Sequence, residues 1–444
     1  MNRVILLLSL AFTQATRIHA QPVAESTFRE IVARVQSQGQ SRAAGLELQA
    51  QTIARERSER HIYPRVYLDA RALQTNDATN AFMANLAQRS ATIVDFLPDR
   101  LNRPGSTNLQ KAALGVDLPL YEGGGKSAMA KVQKNIEEIR REDVALTLRE
   151  EFVTVLGLYA SLLTTQDLNP RLLALEAQAD QLLARYQLGS AANPVGYSGL
   201  LGLRALKNRL QSLRQTFQAQ HKTAHYTLRV LSGLPESWKY ANVSLESLLR
   251  EASPGSISAS HKLRSLQAAG KTKESMIDVE TARFLPRAGL FAETVGSAGK
   301  RRSASAYNVG FYLTMNLFAP EDFGARSQAK LESEAINGRI ADLQRREEAE
   351  YRALQSHIEV TKRNLALLDE SERLLDEQIR TARELFRTGS IQLGQFVEIL
   401  SRRADQVEQR ATLSAELTRA HGSLYLLSSD ESPARNGEND VKTR

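Results

Sequence analysis

The chain has 444 residues, 42% hydrophobic and 24% charged, with a formal net charge of +8 and no cysteine. A mean hydropathy of −0.35, with no internal run of the roughly 20 apolar residues that a membrane helix needs, excludes a bundle of transmembrane helices. The positive charge is spread along the chain, which is a poor footprint for nucleic acid, and without cysteine there is neither a disulfide framework nor a thiol for a lipid anchor.

Residues 1–20 read as a secretory signal: Arg3 precedes the apolar run Val4 to Phe12, and Ala20 offers a cleavage point before Gln21. Export without disulfides or a membrane helix leaves periplasm, outer membrane or secretion. Residues 24–60 predict a helix carrying Ile31, Val32, Val35, Leu46, Leu48 and Ile53. A strand follows at 61–73, where Val66, Leu68, Ala70 and Ala72 alternate with Arg65, Tyr67, Asp69 and Arg71. A polar connection leads to a second strand at 109–121, with Leu114, Val116, Leu118 and Leu120 against Gly115, Asp117 and Pro119. Two strands joined by a loop predict a hairpin. A long helix then runs from near Gly125 toward Leu188, with a kink or restart expected at Asn169-Pro170. A turn near 189–199 returns the chain as a helix to Leu231, closing a first repeat over 21–232. Residues 233–258 read as irregular and hold the only tryptophan, Trp238.

The same pattern recurs over 259–428. A short helix leads to a strand at 285–295, a basic loop with Lys300-Arg301-Arg302, and a strand at 306–318. In that last strand Tyr307, Val309, Phe311, Leu313, Met315 and Leu317 alternate with Asn308, Gly310, Tyr312, Thr314 and Asn316, giving one greasy and one wet face. From Asp322 to Arg387 there is no proline, enough helix to span about 100 Å. A tip near 388–394 turns it, Ile391 to Leu427 returns, and residues 429–444 form a polar tail expected to be disordered. Tyr186 falls over Phe386, Gly189 over Gly389 and Ser190 over Ser390, which predicts an internal duplication.

Each strand has about the length that crosses a bilayer as a tilted barrel strand. Sheet edges cannot stay open in lipid, and four strands cannot close, since the smallest membrane barrels use about eight. Copies of the chain must supply the rest, and a trimer gives a barrel wide enough for water. The aliphatic stripe of the second long helix (Leu331, Ile336, Ile340, Leu343, then Leu354, Ile358, Leu365, Leu368 and Leu375) must pack along its length. The predicted fold is therefore mainly α with a membrane β-barrel portion. A long coiled-coil α-helical barrel joins four β-strands per protomer, a 12-stranded barrel forms in a trimer, and an internal two-fold repeat organises each chain.

At this point the chain resembles the TolC family of outer-membrane efflux proteins. LPLYEGGGKSAMAK is similar to the strand end and helix start of that family, and LFRTGSIQLGQFVEIL to its helix–turn–helix tip. The resemblance implies a homotrimer in the outer membrane of a Gram-negative-type bacterium, with a periplasmic helical portion. It would contact outer-membrane lipid and serve as exit duct for an inner-membrane pump through a periplasmic adaptor, in efflux or type I secretion, without enzymatic activity, cofactor, metal or nucleic acid. It also implies adaptor contacts at Leu188, Gly189, Ser190, Thr388, Gly389 and Ser390, and a periplasmic entrance constriction at Gln395 and Glu398. One carboxylate of the family pattern is an amide here, which puts cation selectivity in question. Gly123, Gly124, Gly125 and Gly324 are expected to turn strand into helix.

Other signals weigh less. Gly125-Lys126-Ser127 lies between strand and helix as in a phosphate-binding loop, but the pattern needs glycine where Leu120 stands. His221 and His225 share a helix face without a third metal ligand nearby in sequence. No catalytic constellation is legible, which disfavours a cell-wall enzyme with helical arms. The rival reading is a periplasmic coiled-coil adaptor or scaffold without a barrel, against which the duplicated two-faced strands argue.

Overall fold

The computed structural model describes residues 25–185, 194–252 and 259–428. The residues read as a signal sequence and as a tail, the expected tip residues Leu188, Gly189 and Ser190, and part of the segment read as irregular lie outside them. The described chain contains β1 (Glu25–Ser26), α1 (Phe28–Gln38), α2 (Gln40–Glu59), β2 (Arg65–Thr75), α3 (Ala78–Ala87), α4 (Pro98–Asn102), β3 (Thr107–Glu122), α5 (Gly125–Arg185) and α6 (Pro194–Ser232). There follow β4 (Lys239–Tyr240), α7 (Leu245–Glu251), α8 (His261–Ala282), β5 (Arg287–Gly299), β6 (Ser303–Thr314), α9 (Ala325–Arg387) and α10 (Leu393–Leu426). Two compact units divide it, one of Met1–Gln40, Arg149–Pro254 and Ala353–Tyr425, the other of Ser41–Leu148, Gly255–Arg352 and Leu426–Arg444.

The first unit is helical. α1 starts on a capping box: Glu30 N–H donates to Thr27 Oγ1 at 3.3 Å, and Thr27 N–H to the Glu30 carboxylate at 3.0 Å. Its buried face, Phe28, Ile31, Val32 and Val35, packs against α6. The Phe28 ring meets Phe152 and Tyr159 edge-on at 5.3 and 5.6 Å, and buried Tyr159 donates its hydroxyl to Ala241 O at 2.6 Å. The rows Leu168, Leu172, Leu175 and Ala179 of α5 pack with Leu203, Leu206 and Leu210 of α6, Leu375 and Ile379 of α9, and Phe396 and Leu400 of α10. Each such side chain contributes about 1.5–3 kcal/mol when fully buried.

Three expectations change here. The helix predicted over 24–60 is two helices, because Gly39 leaves helical geometry with ψ −156°. A side chain at that position would meet Glu151 Oε1 and Val35 O. Of the kink or restart expected at Pro170, the restart does not occur: α5 continues through it, held by buried Leu168 and Leu172 on either side, so packing offsets the lost backbone bond. Within 233–258, β4 pairs in parallel with β1 over two residues and α7 follows, with Trp238 buried and stacked on His225 at 4.5 Å.

The second unit holds a four-stranded antiparallel sheet in the order β2-β3-β5-β6. The polar connection after β2 is folded as α3, a short 3-10 turn and α4. β5 and β6 run further toward their shared turn than alternation predicts, because Ala, Gly and Ser at 296–299 and 303–306 pair by backbone alone. β6 stops at Thr314, opposite Arg287. Pro286 precedes Arg287 and has no N–H with which to extend the ladder, so Met315 to Phe318 lie outside the sheet.

Inside the helical unit, α10 buries His421 with neither ring nitrogen partnered. Burial, with Lys362 nearby, lowers this imidazole from 6.5 to about 4. Below its usual pKa the unfolded chain therefore takes up a proton that the folded chain refuses, and stability falls as pH drops from about 6.5 toward about 4. Urea melts should show a lower midpoint at pH about 5 than at pH about 7.5. His421→Phe should remove most of that difference; an unchanged difference would assign it to other groups.

Candidate functional site

Register makes the sheet two-faced. The row Val66, Val116, Ala292, Val309 and the row Leu68, Leu114, Thr294, Tyr307 run across all four strands. With Leu290, Phe311 and Leu313 they form an apolar face that is exposed almost throughout. The opposite face carries Tyr67, Gly115, Glu293 and Asn308 in one row and Arg65, Asp117, Phe291 and Gly310 in another. Its central positions Ala113, Val295 and Ser297 are buried. This reverses the usual arrangement of a half-buried sheet, in which the apolar side is covered.

Three aromatic rings lie over three glycines on the polar face. Tyr67 covers Gly115, Tyr312 covers Gly289 and Phe291 covers Gly310, each so closely that a side chain there would collide with the ring. Lying flat lets each tyrosine reach a carboxylate: Tyr67 donates to Glu293 at 3.3 Å and Tyr312 to Asp117 at 3.1 Å. Glu293 also accepts from Asn308 at 2.7 Å. The outer edges of β2 and β6 have no strand partner among the described residues.

At the helical end of β3, Gly123 and Gly124 take φ +65° and +77°, and Gly324 before α9 takes +88°. Only Gly123 is also sterically confined, with Ala282 O and the Leu285 Cβ in the space of a side chain. Lys126 pairs with Glu122 at 2.7 Å and Ser127 Oγ lies 3.3 Å from His61 Nε2, so the Gly-Lys-Ser sequence serves the turn. At the other end of the sheet, Arg301 in the β5–β6 turn forms a fork on Asp95 with two 2.6 Å bonds. These bonds and those from Thr92 hold the Asp95 carboxyl far below the usual range. Gln88 is buried between them, donating to Ala84 O and accepting from the N–H groups of Arg301 and Arg302. Together they dock α3 onto the turn.

In the helical unit the second tip is a tight reversal. Gly389 takes φ +78°, and Ser390 N–H donates to Leu385 O at 2.8 Å. The Thr388 and Ser390 hydroxyls meet at 2.9 Å, so all three predicted tip residues sit on one exposed turn. Gln395 is exposed and accepts from Gln392 N–H at 3.1 Å, capping α10. Glu398 is exposed and pairs with Arg402 one turn on, at 2.6 Å. The residues between them, Phe396 and Val397, are buried. A side chain at Gly199 of α6 would crowd Leu393 and the Gly394 backbone, so the glycine permits the close approach of α10.

Sequence reasoning missed a charge cluster in the same unit. Buried Glu372 of α9 meets Arg171 at 2.7 Å, Arg410 at 3.0 Å and Arg403 at 3.3 Å, and Asp167, Asp369 and Asp376 take up the remaining charge. It also missed the fork of Arg301 on Asp95. Neither partner set is close in sequence, so no local spacing announces them. His221 and His225 do not share a ligand position: His221 Nδ1 lies 3.0 Å from Thr165 Oγ1, whereas His225 stacks on Trp238.

No family model and no curated protein matches the chain. Among solved structures it is similar to the CmeC outer membrane channel of Campylobacter jejuni, at 12% identity over 92% of this chain and 88% of that one, with TM-score 0.71. It is similar to the outer membrane protein VceC of Vibrio cholerae at 10% identity over 91% and 97%, with TM-score 0.72. A third is CusC, whose structures concern folding and transmembrane channel formation, at 11% identity over 92% and 93%, with TM-score 0.74. The chain has the fold of these channels, long helices with a small sheet, which is the fold that the TolC-family resemblance implies.

The turn between β3 and α5 gives a graded expectation. Gly123→Ala should destabilise most, through both backbone strain and collision. Gly124→Ala should cost about 1–2 kcal/mol from its left-handed backbone alone, and Gly125→Ala, whose methyl would meet only the Ala282 Cβ at 3.1 Å, should cost least. Denaturation midpoints of the three variants test this; equal losses would mean that the turn does not limit the strand-to-helix path.

Proposed function

We propose that the chain is one protomer of a homotrimeric outer-membrane channel. It would act as the passive exit duct of a tripartite efflux or type I secretion system, with a periplasmic adaptor and an inner-membrane pump as partners. The observation that carries this reading is the sheet: four strands with an exposed apolar face, a sheltered polar face and two open edges. In lipid every backbone group needs a partner, and three copies joined edge to edge would meet that demand with their polar faces toward water. The likeness to outer-membrane channels supports it. So does α9, on which Val360, Leu367 and Leu374 recur every seven residues and remain 49%, 61% and 63% exposed; such a heptad stripe calls for a helix of another copy. The order of strands, glycine turn, long helix and return helix, which occurs twice, supports an origin by duplication.

The oligomer mass of detergent-extracted protein and its single-channel conductance in a planar bilayer test the proposal. A conducting trimer upholds it; a soluble, non-conducting monomer returns the adaptor reading. Within it, Leu313→Arg should abolish membrane assembly, whereas Asn308→Arg should leave the trimer intact and alter conductance. Equal damage from both would overturn the assignment of faces.

The exposed turn Thr388-Gly389-Ser390, with Leu188, Gly189 and Ser190, is proposed as the adaptor contact, and Gln395 with Glu398 as the entrance constriction. Arg402 beside Glu398 makes this entrance close to neutral. Exposed pairs of this spacing contribute only about 0.3–0.5 kcal/mol, so Glu398→Gln should barely alter stability while leaving Arg402 uncompensated. The reversal potential under a salt gradient should shift toward anions. An unmoved potential would remove Glu398 from the conducting path.

A further inference from the structure

The connection between β2 and β3, with the β5–β6 turn docked on it, is a surface with two properties that a merely solvated loop has no reason to combine. It is basic: Arg89, Arg100, Arg103, Lys300 and Arg302 are all exposed and have no carboxylate partner among the described residues. Of the neighbouring acids, Asp77 caps α3 and Asp95 is held by Arg301, which leaves exposed Asp99 of α4 against the five cations. It is also apolar: Ile93 is 86% exposed, and Val94, Phe96 and Leu97 are each exposed by half or more. A polar recess of about 210 Å³ lies among these groups, lined by Arg100, Lys300, Asn85, Ser106 and Thr107. The surface is rigidly built, since Gln88, the Arg301–Asp95 fork and the edge-on Phe82–Phe96 pair at 5.3 Å fix it to the sheet.

Arg89 adds a separate observation. It follows the end of α3 with φ 51°, in the left-handed region. The bonds around it, Arg89 N–H to Leu86 O and Ser90 N–H to Asn85 O, are those of a helix end that normally takes glycine. A strained arginine where glycine fits better points to a use for its side chain.

We propose that this surface binds a phosphate-bearing, acylated glycolipid of the outer leaflet, its phosphates on the arginines and its acyl region against Ile93, Val94, Phe96 and Leu97. Charge complementarity selects an anion, and the exposed apolar run Ile93, Val94, Phe96 and Leu97 beside it selects an amphiphile over a soluble ion. The inference rests on the membrane reading above.

The test uses the detergent-extracted protein and native mass spectrometry, with a bis-phosphorylated acylated glucosamine disaccharide as probe. The dephosphorylated lipid and inorganic phosphate serve as controls. Wild-type protein should retain the phosphorylated lipid. Arg89→Gly combined with Arg103→Gln should weaken retention by at least about tenfold, while binding of the dephosphorylated lipid stays the same. Arg89→Gly alone should leave thermal stability equal or higher, because its backbone suits glycine, and should still weaken retention. Unchanged retention in the variants, equal retention of both lipids, or displacement by inorganic phosphate would each overturn the proposal. The same spectra report the oligomer. A trimer without lipid discrimination overturns this inference alone, whereas a micelle-free monomer overturns the membrane reading with it.

Discussion

An antiparallel sheet with two unpaired edges and its apolar side outward is not stable as a separate object in water or in lipid. In water the exposed face of Leu68, Leu114, Val309 and Phe311 would drive association. In lipid the open ladders of β2 and β6 would leave backbone groups without partners. Both demands are met only if the apolar face lies in hydrocarbon while the edges pair with further strands. The other features of the chain follow from this. On the proposed reading, strands of bilayer length, glycines that turn them directly into helices, and a helix that keeps a heptad stripe uncovered would all belong to a protomer that is complete only in an assembly.

The helical unit solves a different problem. Its core is made of aliphatic rows from four helices, whose contacts alone would tolerate sliding by a turn. The cluster around Glu372 opposes that. One buried carboxylate takes guanidinium groups from α5 and α10, and a shift of any helix would leave a charge buried without its partner, at a cost of about 3–5 kcal/mol. The aliphatic rows supply cohesion and the charge cluster supplies register.

What the sequence made legible followed from how strongly each element advertises its period. Tyr307, Val309, Phe311 and Leu313 alternate with polar residues, and β6 was found; the Ala, Gly and Ser stretch at 296–299 has no contrast between faces, so the end of β5 was not. α3 was hidden because it buries only Ala81 and Ala84, too narrow a stripe to separate from a polar loop. The break at Gly39 was missed because Gln36 to Arg42 are polar or glycine and carry no period that marks where one helix ends and the next begins, and the helix did not restart at Pro170 because packing on both sides overrides its local preference. At the tip, Gly389 was readable from chemistry. The pairing of Glu398 with Arg402 was also readable, since four residues separate them on a helix, but the carboxylate was weighed without its neighbour. Glu372 and the fork of Arg301 on Asp95 join residues far apart in the chain and could not be read at all.

The rings laid over Gly115, Gly289 and Gly310 have a consequence for passage. A side chain standing upright on the water side of a closed sheet narrows the bore by its full length and offers a mobile, sticky end to anything that moves past. A ring pressed flat on a glycine narrows it by little more than the thickness of the ring, and none has a free donor at its tip: the Tyr67 and Tyr312 hydroxyls are given to Glu293 and Asp117, and Phe291 has no hydroxyl. The wall becomes smooth and chemically quiet. If the proposed channel forms, such a surface would let chemically unlike molecules slide past without holding any of them, and discrimination among cargoes would fall to whatever loads the duct.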